Sequence, residues 1–372
     1  VNTLLVLSRM FWWSGDLPRA HDCVDRAEQI AQGKDDAFMR GSILSGRIEA
    51  GHTLGRFDES LALADGVVDC GVRAGRSELE TLGQFYRAFL FLQSGDRAAA
   101  DAAFGAIERL VEGDVISEGR MLLGVWRALV AQIEGRLDDA ERETQAVMRL
   151  GERFNFRPER ATAVLAVQVW WLSLLRGNPS LTLWAMRSYV EQTPQARYPR
   201  FFLARLYAEL GRRSAAEREL ALLDAPALLE MARDHQWLFS VCLSAETCAL
   251  VDDTGRAQAL YDLLAPYADL HATSAWITIC IGSVARPLAM LAATLGRWSE
   301  AEEFFEHALA RNEALRAPAL VVWTQIDYAR ALLRHPRPRE RSKGQRILDA
   351  AARAAEPLGM SAALERARRA TV

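Results

Sequence analysis

The chain has 372 residues, 50% hydrophobic and 25% charged. That composition excludes disorder and suggests two or three compact domains or one elongated array. Lys plus Arg number 45 and Asp plus Glu 48, a net charge of −3, which argues against direct nucleic-acid binding, where a basic excess meets the phosphates.

Taken in chain order, residues 1–13 read as a helix. A short motif then recurs: a glycine, a polar residue and, in seven of its eight occurrences, a small residue five positions after the glycine. It is SGDLPRA at Gly15, LGRFDES at Gly55, SGDRAAA at Gly95 and EGRLDDA at Gly135. It continues as RGNPSLT at Gly177, LGRRSAA at Gly211, TGRAQAL at Gly255 and LGRWSEA at Gly296. The steps are 40, 40, 40, 42, 34, 44 and 41 residues. The fifth positions are Ala20, Ser60, Ala100, Ala140, Thr182, Ala216, Leu260 and Ala301. Glycine closes a helix by taking φ > 0. The polar residue makes the turn, and the small residue lets the next helix approach the first. Each period is therefore a helix A, a tight turn and a helix B.

The helical spacing agrees. Ala301, Phe304, Phe305, Ala308 and Leu309 form one buried stripe, and Ile347, Leu348, Ala351, Ala352 and Ala355 form another. Pro158 and Pro318 sit where a helix A should start. No stretch shows strand alternation, and the apolar runs at 161–175 and 275–295 are expected to be buried helices. The first has 15 residues, short of the ~20 needed to cross a membrane, so no membrane association is expected. The fold class expected is all-α: an α-α superhelix of about nine two-helix repeats of ~40 residues. It forms a single solenoid over 1–372, with repeats in clear register over 1–335 and a degenerate last helix and C-terminal cap over 336–372.

Little in the sequence points to chemistry. The histidines form no HxxxH or HxH pair, the serines no GxSxG elbow, and Gly33–Lys34 is not part of a phosphate loop. Cys23, Cys70, Cys242, Cys248 and Cys280 show no CxxC spacing and are expected to be buried thiols in a reducing, cytoplasmic compartment. Asp252–Asp253 is read as a helix end, Glu302, Glu303 and Glu306 as a solvated helix face, and the basic run Arg334–Arg346 as a solvated loop. No catalytic residue, metal or cofactor is expected. The candidate binding residues pair aromatic and polar groups on A helices: Trp126 with Arg127, Gln168 with Trp170 and Trp171, Gln236 with Trp237, and Trp323 with Gln325. Adjacent helical residues point ~100° apart, so an aromatic and a polar group can share an inner groove. Core packing competes with this reading for each tryptophan.

A two-helix unit of about 40 residues resembles the tetratricopeptide class, though it is longer than the usual 34. RFFLARLYAELGRRSAAERELALL, HQWLFSVCLSAETCALVDDTGRAQALYDLLAPYA and GSVARPLAMLAATLGRWSEAEEFFEHALARNEALRAP are similar to the maltose-regulator type of repeat. That type occurs in large ATP-binding LuxR-type transcriptional regulators and cyclase-fused signalling ATPases. The resemblance spans nearly the whole chain. It implies a non-catalytic sensor array whose concave groove takes a small-molecule or peptide effector and whose partner is its own ATPase or output domain. On that reading the chain is a segment of a longer protein. The alternative is a stand-alone protein–protein scaffold or adaptor.

Overall fold

A computed structural model describes residues 1–14, 16–51, 56–112, 118–154, 158–193, 197–223, 228, 236–274, 277–360 and 362–365. It is all-α, almost entirely helical among these residues. The contacts gather in two compact units. One comprises Val1–Trp126 with Glu230–Leu238, the other Arg127–Leu229 with Phe239–Val372.

In the first unit the helices come in pairs: α1 (Asn2–Ser14) with α2 (Leu17–Ala31), α3 (Ala37–Gly51) with α4 (Phe57–Ala74), and α5 (Ser77–Ser94) with α6 (Arg97–Leu110). Helix α7 (Glu118–Glu134) begins here. Each A helix packs on the preceding B helix through one repeating face. Ile43 joins the cluster of Ala20, Val24 and Ala27, and Arg47 pairs with Asp25 at 2.7 Å. One repeat on, Arg87 pairs with Asp65 at 3.2 Å. The α4–α5 backbones approach so closely that a Cβ at Gly71 would stand 2.5 Å from the Glu80 amide nitrogen, and one at Gly83 2.7 Å from that of Val68.

The second unit holds the rest of α7, then α8 (Leu137–Phe154), α9 (Pro158–Leu175), α10 (Ser180–Gln192), α11 (Tyr198–Glu209) and α12 (Arg213–Ala221). Most of α13 (Trp237–Leu250) belongs to it, followed by α14 (Thr254–Leu264), α15 (Ala285–Thr294), α16 (Trp298–Ala314), α17 (Pro318–Leu333) and α18 (Pro338–Ala355).

The turns follow the chemistry read from the motif. Gly95, Gly135, Gly177, Gly211 and Gly296 all have φ between 69° and 90°. After each, an amide reaches back five residues, as Asp96 N to Phe91 O at 2.8 Å and Asn178 N to Ser173 O at 2.7 Å, closing the helix. The next helix is capped where aspartate follows: Asp16 and Asp96 each accept the amide three residues on, Arg19 N at 3.2 Å and Ala99 N at 2.9 Å. The fifth positions Ala20, Ser60, Ala100, Ala140, Thr182, Ala216, Leu260 and Ala301 are all buried. Gly15 and Gly55 lie outside the described residues.

Gly255 is a correction. It lies inside α14, and Asp252 takes the left-handed turn at φ 57°. Asp253 then caps α14 through the Arg256 amide at 3.2 Å. The aspartate pair is thus one helix end and one helix start. Aspartate tolerates this conformation because its short polar side chain bonds locally.

Residues 275–295 are a second correction. An antiparallel hairpin, β1 (His271–Thr273) with β2 (Cys280–Ser283), replaces the first turns of this helix A, leaving α15 only ten residues long. The hairpin is buried, and Asn312 ties it to the helices by accepting the Ser283 amide at 3.0 Å and donating to Thr324 Oγ1 at 3.0 Å. Pro338 opens α18, so only 334–337 of the basic run 334–346 lie between helices. Lys343 on α18 donates to Glu302 of α16 and to Tyr328 of α17 at 2.7 Å. Glu306 lies 3.9 Å from the same lysine, so part of the glutamate face joins three helices.

The second unit also makes contacts beyond neighbouring pairs. Gln168 Nε2 donates to Thr278 O at 3.1 Å. The Trp171 and Trp323 rings meet edge-on, 5.5 Å apart. Leu358 packs on the turn at Gly135, and the backbone of Ala362 and Ala363 on the turn at Gly177. No described helix is long and apolar enough to cross a membrane.

Gly177 and Gly211 have nearly the same φ, 70° and 69°. A Cβ on Gly177 strikes Ala362 and Ala363, while one on Gly211 meets nothing within 4 Å. Gly211→Ala should lower stability by about 1 kcal/mol, the left-handed penalty alone. Gly177→Ala should cost about 2 kcal/mol or more, with the clash added. Urea unfolding of both variants checks this, and equal losses would mean that the C-terminal segment does not dock there.

The hydrogen bond from Lys343 holds the Glu302 carboxyl below its ordinary value, against the opposing effect of burial. Its stabilising contribution is therefore present above the unfolded pKa of about 4.3 and lost as pH falls through the lower folded value. Glu302→Gln should be less stable than the parent at neutral pH. The gap should narrow as pH falls below the ordinary carboxylate range; melting temperatures across acid pH read it.

Candidate functional site

At several turns the residue six positions before the turn reaches from one A helix to the next. Along the first unit this position carries Arg9, Glu49 and Phe89. Arg9 Nε lies 3.0 Å from Glu49, and Tyr86 donates to the same carboxylate at 3.0 Å. Burial raises the Tyr86 phenol well above its ordinary value, and the Glu49 charge adds to this. A cleft of about 200 Å³ lies beside the pair, lined also by Leu5, Val6, Ser42 and Leu79.

In the second unit the position carries Leu129, Trp171, Arg205 and Glu246. Arg286 and Asp327 extend the line at steps of 40 and 41 residues. Four consecutive A helices, α11, α13, α15 and α17, thus present alternating charges to one another. Arg205 Nε pairs with Glu246 at 3.0 Å. Arg286 Nη2 pairs with the other oxygen of Glu246, and Arg286 Nη1 with Asp327 at 2.6 Å. Glu209, one turn after Arg205, takes Arg205 Nη1 at 2.5 Å. Arg330, one turn after Asp327, lies 3.5 Å from Asp327 and 3.8 Å from Glu209. The six side chains form a closed ring of alternating sign with no net charge.

Arg205, Glu246, Arg286 and Asp327 are buried, each 4% exposed or less. Burial opposes the Arg205 cation, but Glu209 and Glu246 outweigh it and hold the guanidinium above its ordinary value. Charges removed from water this far are stable only when paired on several sides.

The ring forms the floor of a cleft of about 370 Å³. Glu209, Asp327 and Arg330 face it from the ring, and Leu250, Val251 and Met290 give it an apolar wall. Arg213 and Arg334 stand at the exposed rim, paired with Glu217 at 2.8 Å and Asp252 at 3.5 Å.

The sequence candidates lie elsewhere. Trp126 stacks on Phe104 with ring centroids 4.3 Å apart and is buried, while the neighbouring Arg127 is exposed. Gln168 is fully buried, donating to Thr278 and accepting from Thr144 at 3.3 Å. Trp170, Trp171 and Trp323 belong to one aromatic core with Phe202 and Phe239. Trp237 is buried and Gln236 half-buried, as is Gln325. These tryptophans pack between helices and line neither cleft. All five cysteines are free and buried, and burial raises the Cys248 thiol to about 12.

Arg205, Glu246, Arg286 and Asp327 are visible in the sequence as an alternation of charge at the repeat period. The steps between them are 41, 40 and 41 residues, although Arg286 stands ten residues before the turn at Gly296 rather than six. The hairpin leaves a fainter trace, the β-branched run ITICI before Gly282. Comparison of the chain with protein-family models and with curated proteins finds no match.

Glu246 holds two buried arginines at once. Glu246→Gln should destabilise the protein by about 3–5 kcal/mol, because it leaves buried positive charge uncompensated. Chemical denaturation followed by circular dichroism measures this; a loss under about 1 kcal/mol would mean that the ring is solvated in solution.

Proposed function

We propose that the chain is a non-catalytic ligand- and protein-binding sensor array of about nine two-helix repeats. It serves a bacterial signal-transduction ATPase, a cytoplasmic transcriptional regulator, and its partner is that protein's own ATPase or output domain. The observation that carries the reading is the cleft over the charged ring. Its volume falls within the range of small-molecule sites, and it combines an apolar wall with a few fixed polar groups. The carboxylates that face it, Glu209 and Asp327, are engaged by arginines, which suits them to holding charge and shape. Four repeats meet at the ring, so occupancy of the cleft would bias how they pack. A ligand shifts such an equilibrium only through different affinities for the two arrangements.

The second reading, a protein–protein adaptor, draws on α10. Leu181, Trp184 and Tyr189 are exposed on it, Trp184 by 80%. Their spacing places them along one side of the helix, the pattern of an aromatic anchor for a protein partner.

Backbone hydrogen exchange of the chain mixed with a small-metabolite extract tests the leading reading. Exchange should slow at 208–213, 249–251 and 327–334, with the extract recovered chemically unchanged. Conversion of an extract component that is lost in Asp327→Asn would contradict it.

A further inference from the structure

The ring is not held evenly. Four of its six links are ion pairs of 3.0 Å or less, while both links of Arg330 are longer, at 3.5 and 3.8 Å. Arg330 Nε is buried without a hydrogen-bond partner among the described residues, as are Arg205 Nη2 and Arg286 Nε, but of the three arginines only Arg330 lines the cleft. Its two carboxylates already take closer pairs from other arginines, Glu209 from Arg205 and Asp327 from Arg286. Arg330 is thus the guanidinium that faces the cleft with donor capacity left over.

The charge around it points the same way. Five guanidinium groups (Arg205, Arg213, Arg286, Arg330 and Arg334) lie in or directly behind the cleft, against the three buried carboxylates of the ring. The other two charges are met only at the rim. Glu217 is 40% exposed and Asp252 59%, so water and salt screen them strongly. Arg334 follows Arg330 by one helical turn and lines the same cleft. An anion between them would meet two forked donors, the geometry that suits carboxylate and phosphate oxygens. Leu250, Val251 and Met290 would receive an aliphatic body.

We propose that this cleft binds small organic anions, a carboxylate or phosphate head on a short apolar chain, with Arg330 and Arg334 as the recognition pair. The inference rests on the cleft being the binding site of the array. When bound, the anion supplies Arg330 with the close partner that the ring does not.

Isothermal titration of the chain with octanoate, octyl phosphate and octan-1-ol tests it. Octanoate or octyl phosphate should bind at least about tenfold more tightly than octanol, and whichever is stronger identifies the head group. Arg334→Gln, at the exposed rim, should weaken the anion about tenfold and leave octanol unchanged. Arg330→Gln should do the same, with its melting curve recorded; if that variant does not fold, Arg334→Gln decides. Equal binding of octanol and the anions, or anion binding indifferent to Arg334→Gln, would overturn the proposal. Absence of anion binding would overturn it too. Failure of the underlying reading looks different. If uncharged or cationic metabolite fractions still slow exchange at 208–213, 249–251 and 327–334, the cleft is a binding site and only the anion assignment falls. If no fraction does, the binding reading itself falls.

Discussion

Glu246 is the constraint on which the second unit turns. A carboxylate 1% exposed is stable as an anion only if cations stand beside it, and Arg205 and Arg286 do so from the helices on either side. Those arginines are themselves buried and need further partners, which Glu209 and Asp327 provide. The requirement passes from helix to helix until Arg330 closes it. Apolar contacts tolerate sliding by a turn, whereas alternating buried charges do not, because each slip would place like charges together. The ring therefore fixes the register of α11, α13, α15 and α17.

The same position explains the change of character along the chain. Where it carries Trp171, the contacts are aromatic, with Trp170 and Trp323. Where it carries ions, at Arg9–Glu49 and again at Arg205–Glu246, a cleft lies beside the charges. The second unit is further closed by the buried hairpin, the contact of Gln168 with Thr278 and the packing of Leu358, Ala362 and Ala363 onto the turns at Gly135 and Gly177. In an open array each repeat meets only its neighbours; here the late repeats stabilise the early ones. That coupling gives a cleft between repeats a means of influencing the whole unit.

Much of the fold is legible in the sequence because its turns obey local rules. Glycine at φ > 0, aspartate caps and small residues five positions on act within a dozen residues, and these short-range signals are enough to locate most of the helices. Gly255 misleads because Asp252 can make the same turn three residues earlier. The hairpin strands at 271–273 and 280–283 leave only a small mark on the period: the step from the turn at Asp252 to Gly296 is 44 residues, against 41 for the step before it. The tryptophans named as groove candidates are all buried, for a different reason. Tryptophan beside a polar residue reads equally as core or groove, and Trp170, Trp171 and Trp323 bury large rings in the aromatic core. The ring needs the opposite reading, since arginine, glutamate and aspartate at the repeat period are buried against the usual expectation for charge.

The central claim is that the ring acts as a coupled unit rather than as separate ion pairs. A double-mutant cycle on Glu246→Gln and Asp327→Asn measures this most directly, since both carboxylates hold Arg286. The account predicts a coupling energy of about 1 kcal/mol or more in urea unfolding, because either change alone already leaves Arg286 short of a partner. Losses that add to within about 0.3 kcal/mol would contradict it.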